Sequence, residues 1–271
     1  MKEYGDYKYT SVSMNKDQDL IKSLTNLAEQ NNIDYIIETG THRGLGSTTM
    51  LGNAFRNSTS LKSLYTIEID YSNFSTAKKN LSHFNFVNCL YGCSLDLNDA
   101  IEYVKKDEAI LHHENYPDVF IDNAKDPINF YVNELEGRLN EGSNNIIKQF
   151  LKKLLRPSRD ANTEPKYNLL PDLIKELCNQ NLLIVLDSAG GVGHMEFQIT
   201  DELMKDKNYY LLLDDTHHLK HFRGLDIIKN RGDANAAIAE RADGKVSLSD
   251  FKSIREMFKK GQDIDKEMDE E

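Results

Sequence analysis

The chain has 271 residues, 39% of them hydrophobic and 28% charged, the balance of a polar globular protein with a substantial core rather than of a disordered chain. Its 44 acidic residues outnumber 33 basic ones for a net charge of −11, so it lacks the basic surface that tracks phosphates, which sets nucleic-acid binding aside. Cys89, Cys93 and Cys178 form no CxxC pair, the N-terminal stretch has no apolar leader, and no run of about eighteen apolar residues occurs; neither a disulfide framework nor a membrane span is expected, and the expected compartment is cytoplasmic.

In chain order, the spacing of Leu20, Ile21, Leu24 and Leu27 predicts a helix over Asp17 to Gln30. Strand Tyr35 to Thr39, helix Ser47 to Arg56, strand Ser63 to Ile69, helix Ser72 to His83 and strand Phe86 to Tyr91 follow. This alternation implies parallel β-α-β units covered on both faces. The pattern resumes with the apolar run Leu182 to Leu186, a helix from Met195 to Met204 and the strand Tyr209 to Leu213. Between the halves, about residues 105–180 read as a mainly helical insertion. It holds a short strand at Asp118 to Ile121, helices at Asn144 to Leu155 and Leu170 to Leu177, and a loop from Pro157 to Pro165. Residues 1–258 thus make a single domain, and the charged stretch from Lys259 to Glu271 is a flexible tail.

Residues 38–49 read ETGTHRGLGSTT and follow directly on the first strand. Glycines between a strand and a helix leave the backbone bare, and the helix start behind them offers unpaired N–H groups to a ligand; a plain turn with a cap at Ser47 or Thr48 reads equally well. The spacing is not that of the dinucleotide fingerprint, because an acid, Glu38, opens it. The second strand ends in TIEID, which places Glu68 where a carboxylate can accept hydrogen bonds from a ribose diol. The third ends in Gly92-Cys93-Ser94-Leu95-Asp96, a turn of small residues able to flank a flat base.

In that order and spacing, ETGTHRGLGST, TIEID and YGCSLD resemble the three cofactor motifs of class I S-adenosylmethionine-dependent methyltransferases. The resemblance covers about residues 34–96 and resumes at 182–216. It implies an α/β fold with a doubly wound, mostly parallel, seven-stranded Rossmann-like sheet. It also implies S-adenosyl-L-methionine as cofactor, with Glu38, Gly40, Thr41 and Gly44 around the methionine part, Glu68 on the ribose, and Cys93 with Ser94 at the adenine. The loop's continuation is most similar to the branch that acts on sugars and small natural products.

Two further apolar strands end in acids, Asp187 and the pair Asp214-Asp215. Parallel strands deliver their carboxyl ends to one edge, so these acids converge near the crevice, and three oxygen donors there suit Mg²⁺. The arrangement is similar to metal-dependent O-methyltransferases, in which such a cation gathers the acceptor hydroxyls. Asp122, in FIDNAKD, competes with Asp187 for the first position. Adjacent carboxylates closing an apolar strand demand compensation by a cation, a basic side chain or a helix N-terminus. Directly after them, THHLKH supplies His218 and His221 as candidate bases, with Lys220 beside them.

The function these features imply is O-methylation of a small molecule or sugar, with Asp187, His218, Lys220 and His221 as catalytic candidates. Two alternatives stand beside it: a scaffold that binds a nucleoside or nucleotide without turnover, and a different metal-dependent enzyme that modifies a glycan or small molecule. Homo-oligomerisation is left open.

Overall fold

Six parallel strands form one sheet in the order β3-β2-β1-β4-β5-β6, comprising β1 Tyr35–Thr39, β2 Ser63–Glu68, β3 Val87–Tyr91, β4 Leu182–Leu186, β5 Tyr209–Leu213 and β6 Ala236–Glu240. The computed structural model describes residues 14–30, 32–140, 164–188, 190–216, 218–231 and 236–240. The helix expected over Asn144 to Leu155, most of the following loop and the charged tail lie outside them.

The strand sequences explain the order. Leu182 to Leu186 is apolar at every position and buried at every position, as a strand with neighbours on both sides and helices above and below must be. Alternate residues face opposite ways. Ile36, Leu64, Leu183, Val185 and Leu212 meet α1 (Gln18–Glu29) and α2 (Ser47–Ala54) through Leu20, Leu24, Leu27, Met50 and Leu51. Ile37, Ile184, Leu186, Leu211 and Leu213 meet the opposite layer. Each such aliphatic side chain contributes about 1.5–3 kcal/mol when buried. At the start of α1, Asp17 caps the helix by accepting hydrogen bonds from the backbone N–H groups of Asp19 and Leu20. Helix α3 (Tyr71–Asn80) follows β2, and its Ala77 packs with Leu81 and Phe84.

After β3 come α4 (Leu97–Lys106), the short α5 (Glu108–Leu111) and α6 (Pro127–Asn140), which enclose a separate cluster of Ile101, Val104, Ile110, Tyr131 and Leu219. Helix α7 (Leu169–Leu177) instead packs on the sheet through Leu170, Ile174 and Leu177, beside α8 (Gly193–Leu203) and α9 (Phe222–Arg231). Part of the stretch read as an insertion over about 105–180 therefore covers the sheet.

Two expectations are corrected. Asp118 to Ile121 forms no strand, only an isolated bridge between Phe120 and His218. The described residues contain six strands, not seven, and all are parallel. Among them no helix is long and apolar enough to cross a membrane. Strand order reverses between β1 and β4, the place in such sheets where a crevice forms at the carboxyl ends of the strands.

Candidate functional site

A cleft of about 260 Å³ opens at that crevice, lined among others by Gly40, His42, Glu68, Cys93, Ser94 and Asp187. Typical ligand pockets run from about 300 to 1,000 Å³, so this one falls just below that range and would leave part of a nucleoside-sized ligand exposed.

Two of the glycines of this loop, Gly40 and Gly44, owe their identity to packing. Gly40 has φ +88°, and a Cβ there would lie 2.2 Å from the Asp187 carbonyl oxygen, so the β1 and β4 turns touch backbone to backbone. Gly44, at φ +73°, has Leu81 where its side chain would be, and its N–H donates to the Thr41 carbonyl at 2.9 Å. No neighbour crowds Gly46, which occupies the N-cap position of α2, so neither Ser47 nor Thr48 is the cap.

Glu38 does not reach the cleft. It is fully buried and accepts hydrogen bonds from the hydroxyls of Thr48 and Thr66, both at 2.6 Å, tying α2 to β2. Burial pushes its pKa up, opposed by hydroxyls including that of Ser47. Because Thr66 spends its proton on Glu38, Thr41 is the donor in the Thr41–Thr66 pair and is also held beneath the surface. Glu68 does line the cleft. Its Oε2 accepts from the His42 N–H at 2.6 Å and its Oε1 from the Asp70 N–H at 2.7 Å. His42 has φ +49°, a left-handed conformation that carries its N–H to Glu68.

Glu196, on α8, was not anticipated. It has no exposure, and its carboxylate gathers three hydroxyls: Thr39 at the end of β1 at 3.0 Å, Ser188 after β4 at 2.7 Å, and Ser94 after β3. Thr39 also accepts the Asp187 N–H at 3.2 Å. All three hydroxyl residues line the cleft. Glu196 thus joins three loops from below, and burial raises its pKa against the pull of those donors.

The acids at the ends of β4 and β5 converge on Lys220. This lysine is buried, with Nζ 3.4 Å from Asp187 Oδ1, 3.4 Å from Asp215 Oδ2 and 3.4 Å from the Ser188 carbonyl. Burial opposes its charge, but Asp187, Asp214 and Asp215 outweigh it and hold the ammonium above its ordinary pKa. Asp187 keeps 20% of its side chain accessible at the cleft. Burial, and next the Asp214 carboxylate, raise its pKa well above the carboxylate range, while Lys220 counteracts them. Among the described residues no group of three or more His, Cys, Asp or Glu is disposed to hold a metal ion. Asp187, Asp214 and Asp215 do converge, and a lysine meets them.

The two histidines are engaged in structure. His218 Nδ1 accepts the Lys220 N–H at 3.0 Å, so Nε2 carries the proton and donates to Asp122 Oδ2 at 3.1 Å. Asp122 also takes the Tyr131 hydroxyl at 3.2 Å; these bonds, His218 foremost, lower its pKa despite burial. Asp122 therefore belongs to His218, and Asp187 is the acid of the Lys220 cluster. His221 donates from Nδ1 to the Asp214 carbonyl, is fully buried, and is held neutral by burial and by Lys220. None of His218, Lys220 and His221 lines the cleft; Asp187 does.

Of the sequence-predicted residues, the cleft unites Gly40, Glu68, Cys93, Ser94 and Asp187, while Glu38, Thr41 and Gly44 support its walls from behind. Cys93 is a thiol, its pKa pushed up to about 11 mainly by burial. No known protein-family model matches the chain, and no curated protein matches it.

Proposed function

We propose that the protein is an S-adenosylmethionine-dependent methyltransferase that O-methylates a small molecule or sugar. The observation carrying this reading is that Glu68, Gly40, Cys93, Ser94 and Asp187, from the carboxyl ends of four different strands, line one cleft at the reversal of strand order. Such crevices are where doubly wound sheets take nucleotide-like ligands.

The residues fit the donor in two respects. Glu68 lines the cleft with a carboxylate held by the backbone N–H groups of His42 and Asp70, and an acceptor in that place suits the two donors of a ribose diol. The contact of Gly40 with the Asp187 backbone brings the β1 turn and the acid together, so a ligand on the one is presented to the other. When bound, S-adenosylmethionine supplies an electrophilic methyl group on a sulfonium. The protein's part is then alignment and removal of one proton. Asp187 is the group placed for that proton: it faces the cleft, and burial raises its pKa above the ordinary carboxylate value. Lys220, at 3.4 Å from Oδ1, fixes the carboxylate's orientation, and Thr39 fixes its backbone.

Calorimetric titration with S-adenosylmethionine and its demethylated product tests the reading. Saturable binding of either in the micromolar range is expected; a dissociation constant above roughly 1 mM for both, weaker than about −4 kcal/mol, would leave only the fold.

A further inference from the structure

The acid cluster at the ends of β4 and β5 already contains its cation. We infer that the Lys220 ammonium is the resident counter-ion of Asp187, Asp214 and Asp215, held where a divalent metal would otherwise sit, so that the site works without one. The inference rests on the methyltransferase reading for its catalytic meaning, although the binding it describes does not require a methyl donor.

The geometry carries it in three ways. First, an ammonium has three N–H donors, and Lys220 Nζ has three oxygens around it, from Asp187, Asp215 and the Ser188 carbonyl, each at 3.4 Å. Second, the surroundings make room for a lysine. A Cβ on Gly193 would lie 2.5 Å from Lys220 Cβ, so only a glycine at the start of α8 admits this stem. Third, the turn that delivers it is tied down. The His218 N–H donates to the Asp215 carbonyl at 2.8 Å, and the Lys220 N–H donates to His218 Nδ1, which leaves the lysine no loose backbone to swing on. Magnesium wants oxygens at about 2.0–2.1 Å in a near-octahedron. Setting it on Asp187 and Asp215 would press a second cation against the ammonium that both acids already hold.

The arrangement also bears on the acceptor. With Lys220 satisfied inside the protein, the cluster shows the cleft carboxylate oxygen, so the acceptor approaches with a hydrogen-bond donor, a hydroxyl or a protonated amine, and no metal chelation by neighbouring hydroxyls is required of it.

The test is titration of Mn²⁺, followed by calorimetry and by its paramagnetic resonance signal, into wild type, Lys220→Ala, and Lys220→Ala combined with Asp215→Asn. Wild type is expected to show no saturable binding up to about 1 mM, and a chelator to leave its affinity for S-adenosylmethionine unchanged. Lys220→Ala is expected to gain a Mn²⁺ site at least about tenfold stronger, which the added Asp215→Asn removes. Mn²⁺ binding by wild type that Asp215→Asn weakens overturns the inference, and so does a Lys220→Ala protein that binds the ion no better than wild type. If Lys220→Ala does not fold, wild type against Asp215→Asn decides alone: Mn²⁺ bound by wild type and lost in the variant rejects the resident cation, and no binding by wild type upholds it. A wild type that binds neither Mn²⁺ nor S-adenosylmethionine upholds the lysine's place in the cluster and sinks the methyltransferase reading instead.

Discussion

The carboxylates of Glu68 and Asp187 face the same cleft, but they are held differently, and substitution should separate their roles. Glu68 accepts hydrogen bonds from two backbone N–H groups, and under the proposed function it also meets the ribose of the methyl donor. Glu68→Gln keeps the shape but leaves one backbone donor facing an amide. It is expected to weaken S-adenosylmethionine binding by about 1.5–3 kcal/mol, the range for a hydrogen bond to a charged group, read as a ten- to hundredfold rise in dissociation constant. Asp187→Asn leaves the glycine contact and the Thr39 bond in place, since both involve the Asp187 backbone. Under the proposed function it removes the proton acceptor. Turnover should fall by roughly 10²–10⁴ with donor affinity within about threefold, a split between kcat and binding that a merely structural role would not produce. Equal loss in both quantities would assign Asp187 to binding.

Between elements, the cleft is held open by contacts that join loops far apart in the chain. Gly40→Ala would drive a methyl group to 2.2 Å from the Asp187 carbonyl at a φ of +88°, so the β1 and β4 turns must part. A loss of about 3 kcal/mol or more in urea unfolding is expected, whereas Gly46→Ala, with nothing nearby, should change stability by less than about 1 kcal/mol. Glu196→Ala would orphan the hydroxyls of Thr39, Ser94 and Ser188 in a buried place, at about 1–3 kcal/mol, and Glu196→Gln should recover part of it. The elements themselves were legible where one interaction dominates: β4 and β5 were read to the residue because both strands are buried on two sides and so almost purely apolar. Helix α4 carried a readable signal in the spacing of Leu97, Ala100, Ile101 and Val104. Strand β6, with the sequence AAIAE, did not, because alanine favours helix locally and only pairing with β5 makes the segment a strand. Glu196 was invisible for a related reason. Its partners lie 157, 102 and 8 residues away, and a glutamate inside an amphipathic helix reads as solvent-facing until the fold brings those hydroxyls under it. Lys220 was visible in the THHLKH motif, but its approach to Asp187 and Asp215, 33 and five positions back in the chain, was not.

For the whole molecule, stability against pH is a contest between buried groups of opposite tendency. Glu38, Glu196 and Asp187 have raised pKa values, so the folded chain holds their protons more tightly than the unfolded chain does; their contribution is present at low pH and is lost as pH rises through the folded values. Asp107 runs the other way. Burial would raise its pKa, but Arg223, at 2.6 Å, lowers it, and that contribution is lost on acidification. His194 also loses on acidification and can be isolated. Burial first, and Arg223 next, push its pKa down to about 4 from an ordinary 6.5, with Asp107 opposing. Between those values the unfolded chain binds a proton that the folded chain refuses, so the stabilisation is complete above pH 6.5 and disappears as pH falls to 4. The shift corresponds to roughly 3 kcal/mol. Comparing wild type with His194→Gln cancels the carboxylates common to both. The stability of wild type relative to the variant should fall by about 2 kcal/mol between pH 7.5 and 4.5, measured from denaturant midpoints at each pH. A difference independent of pH would mean that His194 is protonated in the folded protein as readily as in the unfolded one, and that the space beside Arg223 and Phe197 is open to water rather than closed.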